Sequence, residues 1–130
     1  MYSKTTVMPG GHVMVALCGE IDICTARAVR GVLAEAAGEA VAGVIVDLAG
    51  VRFVDAAGLR VLADTPVRAR HLPDGLRLVA VPARLLRLLR LTGLDRQLAA
   101  YPAPPRSRPQ RERAARLPAA TGSPAEAAAT

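Results

Sequence analysis

The sequence predicts an α/β fold, a mixed and mostly parallel sheet of about four or five strands with helices packed on it. Three observations carry this. Val44-Ile45-Val46-Asp47-Leu48 is a near-continuous apolar run, the pattern of a strand buried on both faces. Other short runs rich in Val, Met and Leu stand on either side of it. Between these runs lie longer segments whose apolar residues recur at three-to-four spacing, the period of an amphipathic helix. The predicted order is β-β-α-β-β-α-β-α.

His12 to Leu17 reads as a strand entered from the Pro9-Gly10-Gly11 turn, with Thr5 to Met8 as its antiparallel hairpin partner. Gly19-Glu20-Ile21-Asp22 closes it. A helix follows, with Val29, Leu33, Ala36 or Ala37, and Ala40 on one face, and with Asp22 or Thr25 to cap its start. After the central run, Val51 to Val54 reads as a shorter extended piece. Asp55 stands directly before a second helix, Ala56 to about Leu72, that Pro66 should kink or end near Thr65 by removing an N–H and crowding the preceding turn. Leu76 to Val81 is a further strand. A third helix, Ala83 to Leu91, stops at Thr92-Gly93, where glycine suits the left-handed position, and a short helical turn from Leu94 to Ala100 closes the domain.

Composition divides the chain near Tyr101. Residues 102–130 hold six of the ten prolines and almost no large aliphatic side chains. Such a segment buries too little apolar surface to offset the entropy of ordering it. The expectation is a folded domain over 1–101 and a flexible Pro/Ala/Arg-rich tail over 102–130. The domain carries 12 basic and 9 acidic side chains, net +3, and the tail 5 and 2, also +3. With one phenylalanine and no tryptophan, the core is built from Val, Leu, Ile and Ala.

Several function classes are excluded or disfavoured. Cys18 and Cys24 make no disulfide framework and, without clustered His, no zinc site; they read as a core thiol and a helix-start thiol. His12 and His71 are far apart and read as surface or edge residues. No glycine-rich phosphate loop, nucleophile elbow or His–carboxylate spacing is present, so no catalytic residue, metal or cofactor is expected. Residues 4–9 lack the apolar core of a signal peptide, and the apolar stretch from Ala40 to Leu48 is far short of a membrane span. The expectation is a cytoplasmic protein without membrane contact. Arg84, Arg87 and Arg90 form a basic stripe opposite Leu85, Leu88 and Leu89, which reads as a solvated helix face. The tail arginines have no interleaved aromatics for base stacking, which argues against nucleic acid as a partner.

Asp55 reads first as the cap of the second helix, accepting a backbone N–H of Ala57 or Gly58. Asp22 reads in the same way for the first. Ala56, Ala57 and Gly58 are either simply small residues opening a helix or small residues that let a partner's backbone approach closely. Thr25, Thr65 and Thr92 read as capping or helix-end residues.

Four segments in order resemble the STAS domain family, specifically its single-domain antagonists of bacterial anti-sigma factors. They are Gly19-Glu20-Ile21-Asp22; Val46-Asp47-Leu48 with Val51 and Phe53; Val54-Asp55-Ala56-Ala57-Gly58-Leu59; and Leu91-Thr92-Gly93-Leu94. The resemblance spans nearly all of 1–101. It implies a partner-switching protein that binds an anti-sigma factor with an ATPase-type kinase fold and so releases a sigma factor. It also implies a partner-binding surface made of Asp22, Asp55, Ala56, Ala57 and Gly58, with the loop of Asp22 beside that of Ala57. The family's phosphorylated serine falls on Ala57, whose methyl group cannot accept a phosphoryl group. The alternative is a degenerate STAS scaffold subunit within a larger signalling complex. Neither reading is that of an enzyme.

Overall fold

The computed structural model describes residues 1–96, 98–101 and 111–117. A hairpin opens the chain: β1 (Tyr2–Val7) pairs antiparallel with β2 (His12–Ile21), and the Met8 N–H donates to the His12 carbonyl at 2.8 Å across the turn. Helix α1 (Ala26–Glu39) then returns the chain to β3 (Gly43–Val54), which lies parallel to β2. Helix α2 (Ala56–Arg68) leads to β4 (Leu76–Val79), parallel to β3, and α3 (Ala83–Thr92) leads through a 3-10 turn (Leu94–Arg96) to β5 (Ala99–Tyr101). The sheet runs β5-β4-β3-β2-β1 and ends on a sixth strand, β6 (Arg111–Arg116), antiparallel to β1. The α/β class with a mixed, mostly parallel sheet is as the sequence predicts.

Strand periodicity decides where the core sits. Val13, Val15 and Leu17 of β2, Val44, Val46 and Leu48 of β3, and Leu76 and Leu78 of β4 occupy alternate positions and so share one face. Into the same core pack Val29 and Leu33 of α1, Val61 and Leu62 of α2, and Leu85 and Leu89 of α3. Each such side chain, fully withdrawn from water, contributes about 1.5–3 kcal/mol. The intervening positions of β2 face the other way. Cys18 is one of them, so it is exposed and not the core thiol expected from sequence.

Four details differ from the sequence expectation. The two extended pieces around Ala49-Gly50 are one strand, because Gly50 lets Cys18 of β2 approach: a β-carbon there would lie 3.0 Å from the Cys18 Cβ and Sγ. The β2–β3 register slips at this point, between Ala16 and Cys18, which is the usual signature of glycine in a bulged strand. Helix α2 does not end near Thr65 but carries Pro66 inside its last turns to Arg68. The stretch from Leu94 to Ala100 is not one helical turn, for it passes into β5. Finally, β6 lies within the segment whose composition suggests a tail. It is held by its ladder to β1, by the Leu117 N–H donating to the Met1 carbonyl at 3.0 Å, and by the Arg116 guanidinium 5.6 Å from the Tyr2 ring centroid. The remainder of the expected tail, 102–110 and 118–130, lies outside the described residues.

Candidate functional site

The loop entering α1 and the loop entering α2 meet at the C-terminal ends of β2 and β3. Their junction is Asp55. Its backbone is extended, as a capping position requires, and its Oδ1 accepts the Gly58 N–H at 2.9 Å while its carbonyl accepts the Leu59 N–H at 2.9 Å. The cap expected from sequence is therefore formed, with Gly58 as the donor. The second oxygen reaches across the junction: Asp55 Oδ2 accepts the Ile23 N–H at 3.1 Å. The Asp55 N–H itself donates to the Ile21 carbonyl at 3.2 Å. One residue thus ties both loops together.

Asp22 organises its own loop. Its Oδ1 accepts the N–H groups of Cys24 at 2.9 Å and Thr25 at 3.0 Å, and its carbonyl accepts the Ala26 N–H at 2.7 Å. These are the bonds of a helix cap, placed one turn before α1 proper. Thr25 flanks the helix without a side-chain cap bond; its hydroxyl donates to the Glu20 carbonyl at 2.7 Å and accepts the Asp22 N–H at 3.0 Å. Asp22 and Asp55 lie in adjoining loops, as the resemblance implies, but each carboxylate is engaged by backbone donors.

Ala56 is exposed and Ala57 half-buried, whereas Gly58 is buried. A β-carbon on Gly58 would overlap the Ile21 carbonyl oxygen and stand 2.9 Å from Val54 Cγ1. Gly58 is therefore small to admit the chain's own backbone, and the accessible part of this surface is Ala56 and Ala57. Two residues on the rim are not among the site residues expected from sequence. Ile23 is 74% exposed and Phe53 52% exposed, although both are large and apolar. Phe53 heads an apolar groove between the end of β3 and α3, with Leu88 on its other side. The signal available was a large apolar residue two positions beyond a buried one at the end of each strand, Ile23 after Ile21 and Phe53 after Val51.

The other residues considered from sequence lie apart from this rim. The Thr65 hydroxyl is buried and donates to the Val61 carbonyl at 2.7 Å; that of Thr92 donates to the Leu88 carbonyl at 2.9 Å. Both are helix back-bonds. His12 Nε2 lies 2.8 Å from Asp74 Oδ2, joining the start of β2 to the loop before β4. Among the described residues no group of three or more His, Cys, Asp or Glu could hold a metal ion, and no helix is long and apolar enough to cross a membrane.

Comparison with known proteins agrees with the fold. The family described as "Mlab, STAS domain" matches residues 5–100. No curated protein matches the chain. Among solved structures, an anti-sigma factor antagonist from Mycobacterium paratuberculosis is 28% identical with a TM-score of 0.67, over 79% of this chain and 87% of that one. A sulfate transporter family protein from Wolinella succinogenes is 23% identical with a TM-score of 0.64, over 75% and 81%. A putative anti-sigma factor antagonist from Thermotoga maritima is 20% identical with a TM-score of 0.61, over 72% and 81%. The last two likenesses are of fold.

Proposed function

The chain belongs to the STAS domain family, and from that premise we propose that it is an anti-sigma factor antagonist that acts by binding, not by catalysis. The partner is an anti-sigma factor with an ATPase-type kinase fold, met in the cytoplasm, and its capture frees a sigma factor. The observation that carries this reading is the Asp55 carboxylate, which accepts N–H groups from both Gly58 and Ile23 and so fixes two loops as one rim. A rim held before the partner arrives loses little conformational entropy on binding. Ala56, Ala57 and Ile23 give it a small, apolar contact surface with carboxylates on either side.

Ala57 makes the binding permanent. Phosphorylation elsewhere in this family of switches would add about two negative charges at a helix start already flanked by Asp55. A methyl group accepts no phosphate, so the kinase binds without being able to discharge this antagonist.

The test is to mix the protein with the ATPase-fold anti-sigma kinase, its sigma factor and ATP, and to separate the products by size. A stable antagonist–kinase complex, free sigma factor and no phosphate on the antagonist is the expected result. Failure to bind any such kinase, with co-purification of other STAS proteins instead, would replace this reading with the scaffold subunit.

A further inference from the structure

Strand β3 outruns its neighbour β4. Their ladder ends at the Asp47–Val79 pair, Ala80 turns the chain away at a φ of 52°, and β3 continues to Val54 paired with β2 alone. Four successive residues, Val51 to Val54, line one groove, and Pro82, Arg84, Leu85 and Leu88 line its other side. The β2–β3 register shifts again between Gly19 and Glu20, which leaves Arg52 without a partner on β2, and this bulge breaks the alternation so that four residues in a row meet the groove along the strand's outer edge. Among the described residues, the backbone groups on that edge have no strand partner. A bare edge is a template for another chain.

The groove holds about 180 Å³, near the ~150 Å³ of a cavity that accepts a benzene ring. Its walls are mainly apolar, and among the described residues the only charged ones that line it are Arg52 and Arg84. Both are exposed, and neither is ion-paired among the described residues. Among the described residues the pattern is an apolar pocket, a strand edge without a partner and a positive rim without a counter-charge.

We propose that this groove receives a short extended segment of the partner protein, which adds as a strand to the free edge of β3. It places one large apolar side chain between Phe53 and Leu88 and sets acidic neighbours against Arg52 and Arg84. Main-chain bonds supply affinity in such strand addition, and the pocket and charges supply specificity. The inference rests on the partner-binding reading above, and the two surfaces are continuous because Val54 adjoins Asp55.

The test uses the whole chain and defined peptides. Backbone amide shifts are followed by NMR with acetyl-Glu-Val-Glu-Phe-Glu-Val-amide, with its counterpart carrying Lys for Glu, and with the acidic peptide N-methylated at alternate residues. The acidic peptide should give saturable shifts at Val51 to Val54 and Leu88. The lysine and N-methylated peptides should bind at least about tenfold more weakly, a difference of about 1.4 kcal/mol. The double variant Arg52→Glu, Arg84→Glu should reverse the preference between acidic and lysine peptides. Equal binding of the two charges, indifference to N-methylation, or shifts elsewhere would overturn the proposal. So would a response of these amides to phosphatidylglycerol vesicles with none to the peptide, which would make the face a membrane contact. The titration needs no anti-sigma factor, so its failure leaves the Asp55 rim standing. A positive titration beside failed kinase capture would count against the rim alone.

Discussion

The carbonyl oxygen of Ile21 occupies the space that a β-carbon on Gly58 would need. The first turn of α2 therefore rests directly on the end of β2, with no side chain between them. That contact brings the Asp55 cap within reach of Ile23 and makes one surface of two loops.

Gly58→Ala should accordingly destabilise the fold by about 3 kcal/mol or more, the upper range for overpacking, because the obstruction is backbone and cannot rotate away. Gly31→Ala, in the middle of α1 with open space around it, should instead stabilise by about 0.5–1 kcal/mol through helix propensity. Urea denaturation of the two variants checks both signs at once.

Asp55→Ala removes acceptors for the N–H groups of Gly58 and Ile23 and should cost about 1–2 kcal/mol. Asp55→Asn retains one acceptor oxygen but presents an amide donor at the other, so it should keep the Gly58 cap and lose the Ile23 bond. Its stability should fall between wild type and Asp55→Ala. The Ile23 amide should exchange with deuterium faster in both variants, whereas that of Gly58 should accelerate only in Asp55→Ala.

How much of this was legible in the sequence depends on the range of each interaction. The cap was readable, since Asp55 stands three residues before its donor Gly58 and immediately before a helical period. Its bond to Ile23 was not, because the two residues are joined only by tertiary structure. The central strand was legible as an apolar run, but Ala49-Gly50 read as a break when the glycine serves a close approach to Cys18. Pro66 lacks the N–H that would bond to the Leu62 carbonyl, yet α2 runs past it to Arg68. Strand β6 left no signal, for Arg111 to Arg116 has neither alternation nor β-branched residues and owes its place to the unpaired edge of β1. The STAS motifs grouped Asp22 with Asp55 to Gly58, while which of the small residues face solvent and which face the chain itself is decided by the position of Ile21.

Asp22→Ala should free the loop before α1 without unfolding the domain. Loss of the Cys24 and Thr25 bonds should cost about 1 kcal/mol. Hydrogen exchange should quicken at those two amides and at Ala26, with the amides of β3 unchanged.

Ala57→Ser supplies the hydroxyl that the rim lacks. In the presence of the anti-sigma kinase and ATP it should gain one phosphate, read by intact mass, while wild type gains none. A phosphorylated wild-type chain would point to a different acceptor.

The most direct measurement is calorimetric titration of the anti-sigma kinase, with nucleotide bound, by the wild-type chain and by Ala57→Asp. The account predicts saturable binding of wild type and at least about tenfold weaker binding of the variant, because a carboxylate joins Asp55 in the contact surface. Identical isotherms for the two proteins, or no heat from either, would contradict it.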